Sequence, residues 1–245
     1  MKNFISKHAT VTAFNGAQST FDKPHVAYIE ENQGLNYQAY VAPVEQHDYV
    51  EIGGIKWATM NVGATEVTDY GLYFQWGDTQ GYTAAQVGNG EGQKYFGFAD
   101  YKYGNPSAAN MTKYNSTDGK KVLEASDDAA QVNWGGSWRM PTETDFNALK
   151  AATTNAWVTN YGGSGVDGML FTDKNDSSKV LFFPAAGYCS EGSVYSVGDS
   201  SSYWSSSRST SKVDKGRELG IEYSGCWMYD DDRDRGFPIR GVLDD

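Results

Sequence analysis

From Tyr49 onward the chain is written as short apolar runs cut by glycine, as in Tyr49-Val-Glu-Ile-Gly-Gly-Ile-Lys-Trp-Ala58, which runs on through Thr59 to Val62. That punctuation constrains the fold more than any other feature. Runs of four to eight alternating residues between turn residues spell strands, and glycine at each break permits the tight reversals that join them. Glycine occurs 28 times against 6 prolines, and charged residues make up 21% with aromatics at 14%, so the chain is expected to be folded and loop-rich rather than disordered. At 245 residues it can bury one full-sized core with a small appendage.

The first 45 residues read differently and are expected to form an N-terminal β arm, an attachment segment ahead of a main domain over 46–245. Val11-Thr-Ala-Phe14, His25-Val-Ala-Tyr-Ile-Glu30 and Leu35-Asn-Tyr-Gln-Ala-Tyr40 alternate apolar with polar residues. Asn32-Gln-Gly34 makes a hairpin of the last two. The segment Thr79 to Thr117, rich in Gly, Asn, Tyr and Ser, reads as a long surface excursion with little regular structure. Pro141 to Ala152 is the clearest helix, with acidic residues in its first turn and Phe146 and Leu149 at helical spacing. A shorter helix is expected over Leu123 to Ala130. Beyond residue 165 only strands are read: Met169–Phe171, Val180–Phe183, Ser202–Ser205, Glu218–Tyr223 and Gly236–Leu243.

Charge and hydropathy exclude two classes of partner. A net charge of −11 with no Lys/Arg cluster excludes a nucleic-acid backbone, which demands a basic stripe. No apolar run approaches the ~18 residues of a spanning helix, so no membrane insertion is expected. Met1 to Thr10 lacks the apolar centre of a signal peptide. The expected location is therefore a virus particle assembled in the cytoplasm, or a cell surface reached after removal of a leader. Cys189 and Cys226 are the only cysteines; burial as small hydrophobes is the expectation, with one bridge between them left open.

Five separated motifs, Ile55-Lys-Trp-Ala-Thr-Met-Asn-Val-Gly-Ala64, Tyr70-Gly-Leu-Tyr-Phe-Gln-Trp-Gly77, Asn133-Trp-Gly-Gly-Ser-Trp-Arg-Met-Pro-Thr142, Phe183-Pro-Ala-Ala-Gly-Tyr188 and Tyr203-Trp-Ser-Ser-Ser207, run in order along 49–243. In them the chain resembles the major-paralogous (FISUMP) domain family of gut bacteria such as Bacteroides and of their phages. The resemblance implies an α+β class with a C-type-lectin-like fold similar to that of formylglycine-generating enzymes and of variable proteins diversified by retroelements. It implies that Tyr203, Trp204, Leu219, Ile221, Arg233, Gly236, Phe237 and Arg240 are scaffold, and that the residues among them, within about 203–240, are a varied display set. Asn is frequent up to Asn175 and absent from 176 to 245, where Asp, Tyr, Ser and Gly, all reachable from Asn codons by changes at adenines, stand instead. A weaker likeness links Pro24 to Tyr37 with segments that open structural proteins of gut phages.

The display set is expected to comprise Arg208, Thr210, Lys212, Arg217, Glu218, Gly220, Glu222, Tyr223, Gly225, Trp227, Tyr229, Asp230, Asp231, Asp232, Asp234 and Arg235. Strand alternation puts Leu219 and Ile221 inward and Glu218, Gly220 and Glu222 outward. The stretch from Glu222 to Phe237 reads as a turn-rich binding loop, with Trp227 and Tyr229 as anchors and the Asp and Arg residues setting charge complementarity.

Other chemistry is weaker. His8 and His25 precede the main domain, His47 stands at its very start, and none of them is in a metal-ligand spacing. The two cysteines fit no formylglycine-generating motif, so no enzyme is expected, and fold alone confers no activity. Asp127-Asp128 is expected to open a helix, while Asp230-Asp-Asp-Arg-Asp234 lacks the alternating spacing of an ion loop; no cofactor is expected, with structural calcium as the lesser alternative. Trp57, Trp76, Trp134, Trp138 and Trp204 should pack the core with their indole N–H groups satisfied, Trp157 is undecided, and Trp227 should be a contact residue. The sequence thus points to a non-enzymatic protein that binds a protein or glycan receptor on a cell surface, with the N-terminal arm serving self-association. The alternative is a structural or adhesive surface module of a gut bacterium in which the same segment is only a solvated turn.

Overall fold

The computed structural model describes residues 47–245 in full and, within the first 46, the backbone of five strands. Two compact units divide at Val44/Glu45. In the first unit β1 (Phe4–Ser6), β4 (His25–Glu30) and β5 (Gly34–Ala39) form an antiparallel sheet in the order β1-β4-β5, and β2 (Thr10–Thr12) pairs with β3 (Gln18–Thr20). Asn32, Gln33 and Tyr40, and the side chains of His8 and His25, lie outside the described residues, as does any contact through which this unit would self-associate.

The second unit is α+β, built of small antiparallel sheets with two short α-helices. One sheet, in the order β6-β7-β17-β8, joins β6 (Tyr49–Ile52), β7 (Ile55–Asn61), β8 (Trp138–Arg139) and β17 (Arg240–Leu243). It pairs the first strands of the unit with its last. Helix α1 (Ala129–Trp134) precedes β8, and α2 (Glu143–Ala152) leads into β9 (Thr153–Val158), β10 (Gly168–Asp173) and β11 (Val180–Pro184), paired as β11-β10-β9. The hairpin of β12 (Tyr188–Ser190) and β13 (Ser193–Tyr195) comes next, followed by β14 (Ser200–Arg208), β15 (Lys215–Glu222) and β16 (Gly225–Asp232) in the order β14-β15-β16.

Local chemistry explains the helices. Thr142 caps α2: its Oγ1 accepts from the Asp145 N–H at 3.2 Å, and Asp145 accepts from the Thr142 N–H at 2.7 Å. The shorter helix expected over Leu123–Ala130 is instead a 3-10 turn at Ala125–Asp127 followed by α1. Asp128 alone opens it, accepting from Gln131 at 2.9 Å and from the Met140 N–H at 2.8 Å, which pins the helix to β8. Asp127 turns away to accept from Tyr103, Tyr114 and Lys113. Burial raises the Asp127 pKa, but these hydrogen bonds and the Lys102 charge hold it at about 2.

The excursion between Thr79 and Thr117 has the expected irregularity, with three 3-10 turns and no longer element. It is not a surface feature alone, since Phe96, Tyr101 and Tyr114 are fully buried. Similarly, the strand expected from Gly236 to Leu243 is regular only from Arg240. Before it, Gly236 and Phe237 make isolated bridges to Cys189 and Phe74.

Two large apolar clusters fill the unit. One holds Phe74, Trp76, Tyr114, Trp134, Trp138, Trp204 and Phe237; the other holds Trp57, Phe146, Leu149, Phe171, Phe183, Tyr203, Leu219, Ile221 and Cys226, with Trp157 and Met228 packed against it. All five motif tryptophans are buried. Trp76 donates to Ser205 O at 2.8 Å and Trp204 to Phe74 O at 2.9 Å, whereas the Trp57 N–H is buried without a partner, contrary to the expectation for it. Cys189 and Cys226 are buried, unbonded and in separate clusters.

The scaffold arginines act as polar ties through these clusters. Arg240 is fully buried; it donates to Asn61 Oδ1 at 2.9 Å, to Ala58 O and Thr59 O at 3.1 and 2.7 Å, and to Phe182 O at 2.9 Å. One guanidinium thereby joins β7, β11 and β17. Arg233 lies over the Trp76 ring, 4.5 Å from its centroid, and donates to Tyr114 O at 2.6 Å, holding down the end of the excursion.

Candidate functional site

The middle of the stretch read as a binding loop is in fact the edge strand of a sheet, and a turn follows it at Arg233 and Asp234. From Gly225 to Asp232 it pairs with β15 in continuous register, Glu222↔Gly225 through Lys215↔Asp232, and only Tyr223 and Ser224 remain as the hairpin turn. Consecutive aspartates and a glycine are poor strand formers, and cross-strand partners rather than propensity decide the conformation.

Residues of a strand alternate between faces, and directly paired residues share one. On the inner face Ile221 and Leu219 pair with Cys226 and Met228 over the second cluster. The same face continues into a polar end, where Arg217 pairs with Asp230 and Lys215 with Asp232. Arg217 donates to Asp230 at 2.8 Å and to Glu143 of α2 at 2.5 Å, Ser209 donates to Asp230 at 2.7 Å, and Lys215 donates to Asp232 at 2.8 Å. Arg217, Asp230 and Asp232 are thus occupied in tying the sheet to α2 and to the β14–β15 connection.

The outer face carries Ser200, Ser202 and Trp204 from β14, paired with Glu222, Gly220 and Glu218 of β15, which in turn pair with Gly225, Trp227 and Tyr229 of β16. At the Trp204 end this face is covered by the first cluster: a Cβ on Gly216 would meet Trp76 and Trp204. Towards the hairpin turn it is open. There Trp227 is 38% exposed, Tyr229 49% and Tyr223 81%. Each strand aromatic rests on a glycine, since a Cβ on Gly225 would touch the Trp227 ring at 3.0 Å and one on Gly220 the Tyr229 ring at 2.9 Å. Large rings seated against glycine give broad contact area with few torsions to freeze.

Between Ser202 and Tyr229, across Gly220, lies a shallow pocket of about 130 Å3 lined by Ser200, Ser202, Glu218, Gly220, Glu222 and Tyr229. Glu218 forms its floor. The alternation puts this residue on the outer face as expected, but the carboxyl is only 3% exposed and its Oε2 has no hydrogen-bond partner. Burial, then the Asp231 charge, push it up to about 8, against the opposing pull of the Ser202 hydroxyl, Arg217 and Arg235. At neutral pH it is largely a protonated, neutral acid.

The remaining expected display residues separate by burial. Thr210, Lys212 and Glu222 are exposed; Gly225, Asp231 and Arg235 are half-buried, with Arg235 bonded to Asp231 at 3.1 Å and placed over the Tyr188 ring. Arg208 and Asp234 are buried, and Gly220 lies under Tyr229, so these three do not present side chains outward. The Asp234 Oδ1 has no partner, and burial followed by the Asp232 charge raises this carboxyl to about 7. Ser200 and Ser202 belong to the pocket but were not expected there. Their signal was the register of the Ser200-Ser-Ser202 run, which puts alternate hydroxyls opposite Glu222 and Gly220.

A second concavity, lined by Glu51, Lys56, Arg139, Asp244 and Asp245, has both its cations paired internally, with Lys56 on Asp245 and Arg139 on Asp244. Among the described residues no group of three or more His, Cys, Asp or Glu could hold a metal ion, and no helix is long and apolar enough to cross a membrane. No family model, curated protein or solved structure matches the chain.

Proposed function

We propose that the chain is a non-enzymatic binding protein whose second unit is a C-type-lectin-like domain of the FISUMP type, displaying the open half of the β14–β15–β16 outer face to a receptor on a cell surface. The observation that carries this reading is the pair Trp227 and Tyr229, exposed on one strand face and each bedded on a glycine, beside a pocket with an unpaired carboxyl. Exposed aromatics next to adaptable hydroxyls and carboxylates are the side chains that dominate contact energy at interfaces. The motif resemblance and the Asn-free segment after residue 175 further support a retroelement-diversified variable protein, a phage receptor-binding or tail-associated protein among gut bacteria.

The test has two arms. Replacing Trp227 and Tyr229 together by Ala is expected to leave the melting temperature within a few degrees and to abolish binding to receptor-bearing cells. Sequencing the same locus in sibling strains is expected to show substitutions at adenine positions in codons for outer-face residues beside a reverse transcriptase gene. Evenly scattered changes would instead favour an adhesive surface module without targeted variation.

A further inference from the structure

Glu218 presents a problem that the fold does not solve by itself. A buried carboxyl without a full set of partners is costly, and such groups either stay protonated or meet a counter-charge. Its unpartnered Oε2 is buried 3.6 Å from where a Gly220 Cβ would stand, beneath the pocket that Glu218 and Tyr229 line. Two carboxyl groups, the Ser200 and Ser202 hydroxyls and one aromatic ring line that pocket, and no cation does. Its volume of about 130 Å3 is roughly ten times what one water needs on the same measure, room for a single head group.

We propose that this pocket receives the cationic end of a lysine or arginine side chain from a protein partner, with the charge seated on Glu218 and the aliphatic stem lying along Tyr229. The assignment rests on the reading of this sheet face as a binding face. An ammonium or guanidinium group supplies the donors that Oε2 lacks, and the ring adds a cation–π contact. A protein source fits the surroundings: Tyr229 lines the pocket, Trp227 stands exposed opposite Gly220 on the same strand face, and the chain's net charge of −11 draws a basic surface towards it.

The charged groups around Glu218 leave the role open to an incoming cation. Arg217, on the opposite face of β15, is held by Asp230 and Glu143, and Arg235 is held by Asp231. Glu222 at the rim and Asp231 on β16 add negative charge, while β14 contributes hydroxyls. With Glu218 raised to about 8, a proton occupies the place below that pH, and an entering cation displaces it. Affinity for the cation therefore rises with pH between 6 and 8, by up to about tenfold per unit.

The experiment is an amide NMR titration of the full chain at pH 6, 7 and 8 with Nα-acetyl-lysine methylamide, its arginine counterpart and the uncharged norleucine analogue. The two cationic probes are expected to shift the amides of Ser202, Gly220 and Tyr229, more tightly at higher pH, and the norleucine probe to leave them in place. Glu218→Gln should erase the response, as should Glu222→Lys, whose exposed position spares the fold. An equal response to norleucine, or an undiminished one in Glu218→Gln, overturns the proposal. Glucosamine binding in the absence of any lysine or arginine response also overturns it, by making the ligand an amino sugar. If Trp227→Ala abolishes cell binding while Glu218→Gln leaves both cell binding and probe response unchanged, the binding face stands and this pocket assignment falls.

Discussion

Tyr229 lies over Gly220 so closely that a Cβ on the glycine would meet ring carbons Cδ2 and Cε2 at 2.9 Å. The contact gives the pocket its wall, and only a residue without a side chain leaves room for it. Gly220→Val is expected to drive the half-exposed ring towards solvent and fill the pocket. Because the ring has somewhere to go, the cost should stay below about 1–2 kcal/mol in urea unfolding, the lower end of overpacking penalties. Binding at the face should be lost. A cost above about 3 kcal/mol would mean that Tyr229 is packed rather than displayed.

Tryptophans at the two ends of the sheet should respond differently to truncation. Trp204 is fully buried, with its ring 4.1 Å from that of Phe237 and its N–H on Phe74 O, so Trp204→Ala should cost about 3–5 kcal/mol. Trp227→Ala should cost less than about 1 kcal/mol, since over a third of the residue is already in solvent. Chemical denaturation of the two variants side by side measures the contrast.

Arg240→Met keeps the length of the side chain but leaves four oxygens, on Asn61, Ala58, Thr59 and Phe182, without their donor. A loss of at least about 3 kcal/mol is expected, because orphaned buried acceptors bear the full desolvation cost. Hydrogen exchange should show it as faster opening at β7 and β17.

Stability should depend on pH in two opposed windows. Glu218 and Asp234 are raised in the folded state, so the folded protein binds protons more tightly than the unfolded chain. Their contribution is complete below about pH 4 and is lost as pH rises to about 8. Asp127 has the reverse sign: depressed to about 2, it stabilises above pH 4 and loses that contribution as pH falls through 2. A double variant, Glu218→Gln with Asp234→Asn, should flatten the alkaline limb of a melting-temperature profile between pH 5 and 8, and Asp127→Asn should flatten the acid limb.

Elements governed by local signals were legible in the sequence. The α2 helix carries its own start signal in Thr142 and Asp145, and the pairing of His25–Glu30 with Gly34–Ala39 follows the alternation of the two segments. What the sequence concealed depends on distant partners. Nothing near Asp230 announces that Arg217 and Ser209 will claim it, and β16 is a strand because β15 lies beside it. For Glu218 the alternation gave the correct face, but its burial comes from Tyr229 and the neighbouring strands, which no linear pattern records. The excursion after Thr79 was legible as irregular; that Phe96, Tyr101 and Tyr114 are core residues depends on the tertiary fold.

The register of β16 determines what fraction of a randomised library would survive. Positions 225, 227, 229 and 231 share the outer face, while 226 and 228 belong to the apolar cluster and 230 and 232 to the internal ion pairs. Codons varied only at 227, 229 and 231 would sample new surfaces on one folded architecture, with Gly225 kept for its φ of +144° and its place under the Trp227 ring. Codons varied at the even positions as well would fill the same library with unfolded members, so a single-residue shift in where variation falls separates a useful repertoire from a wasted one.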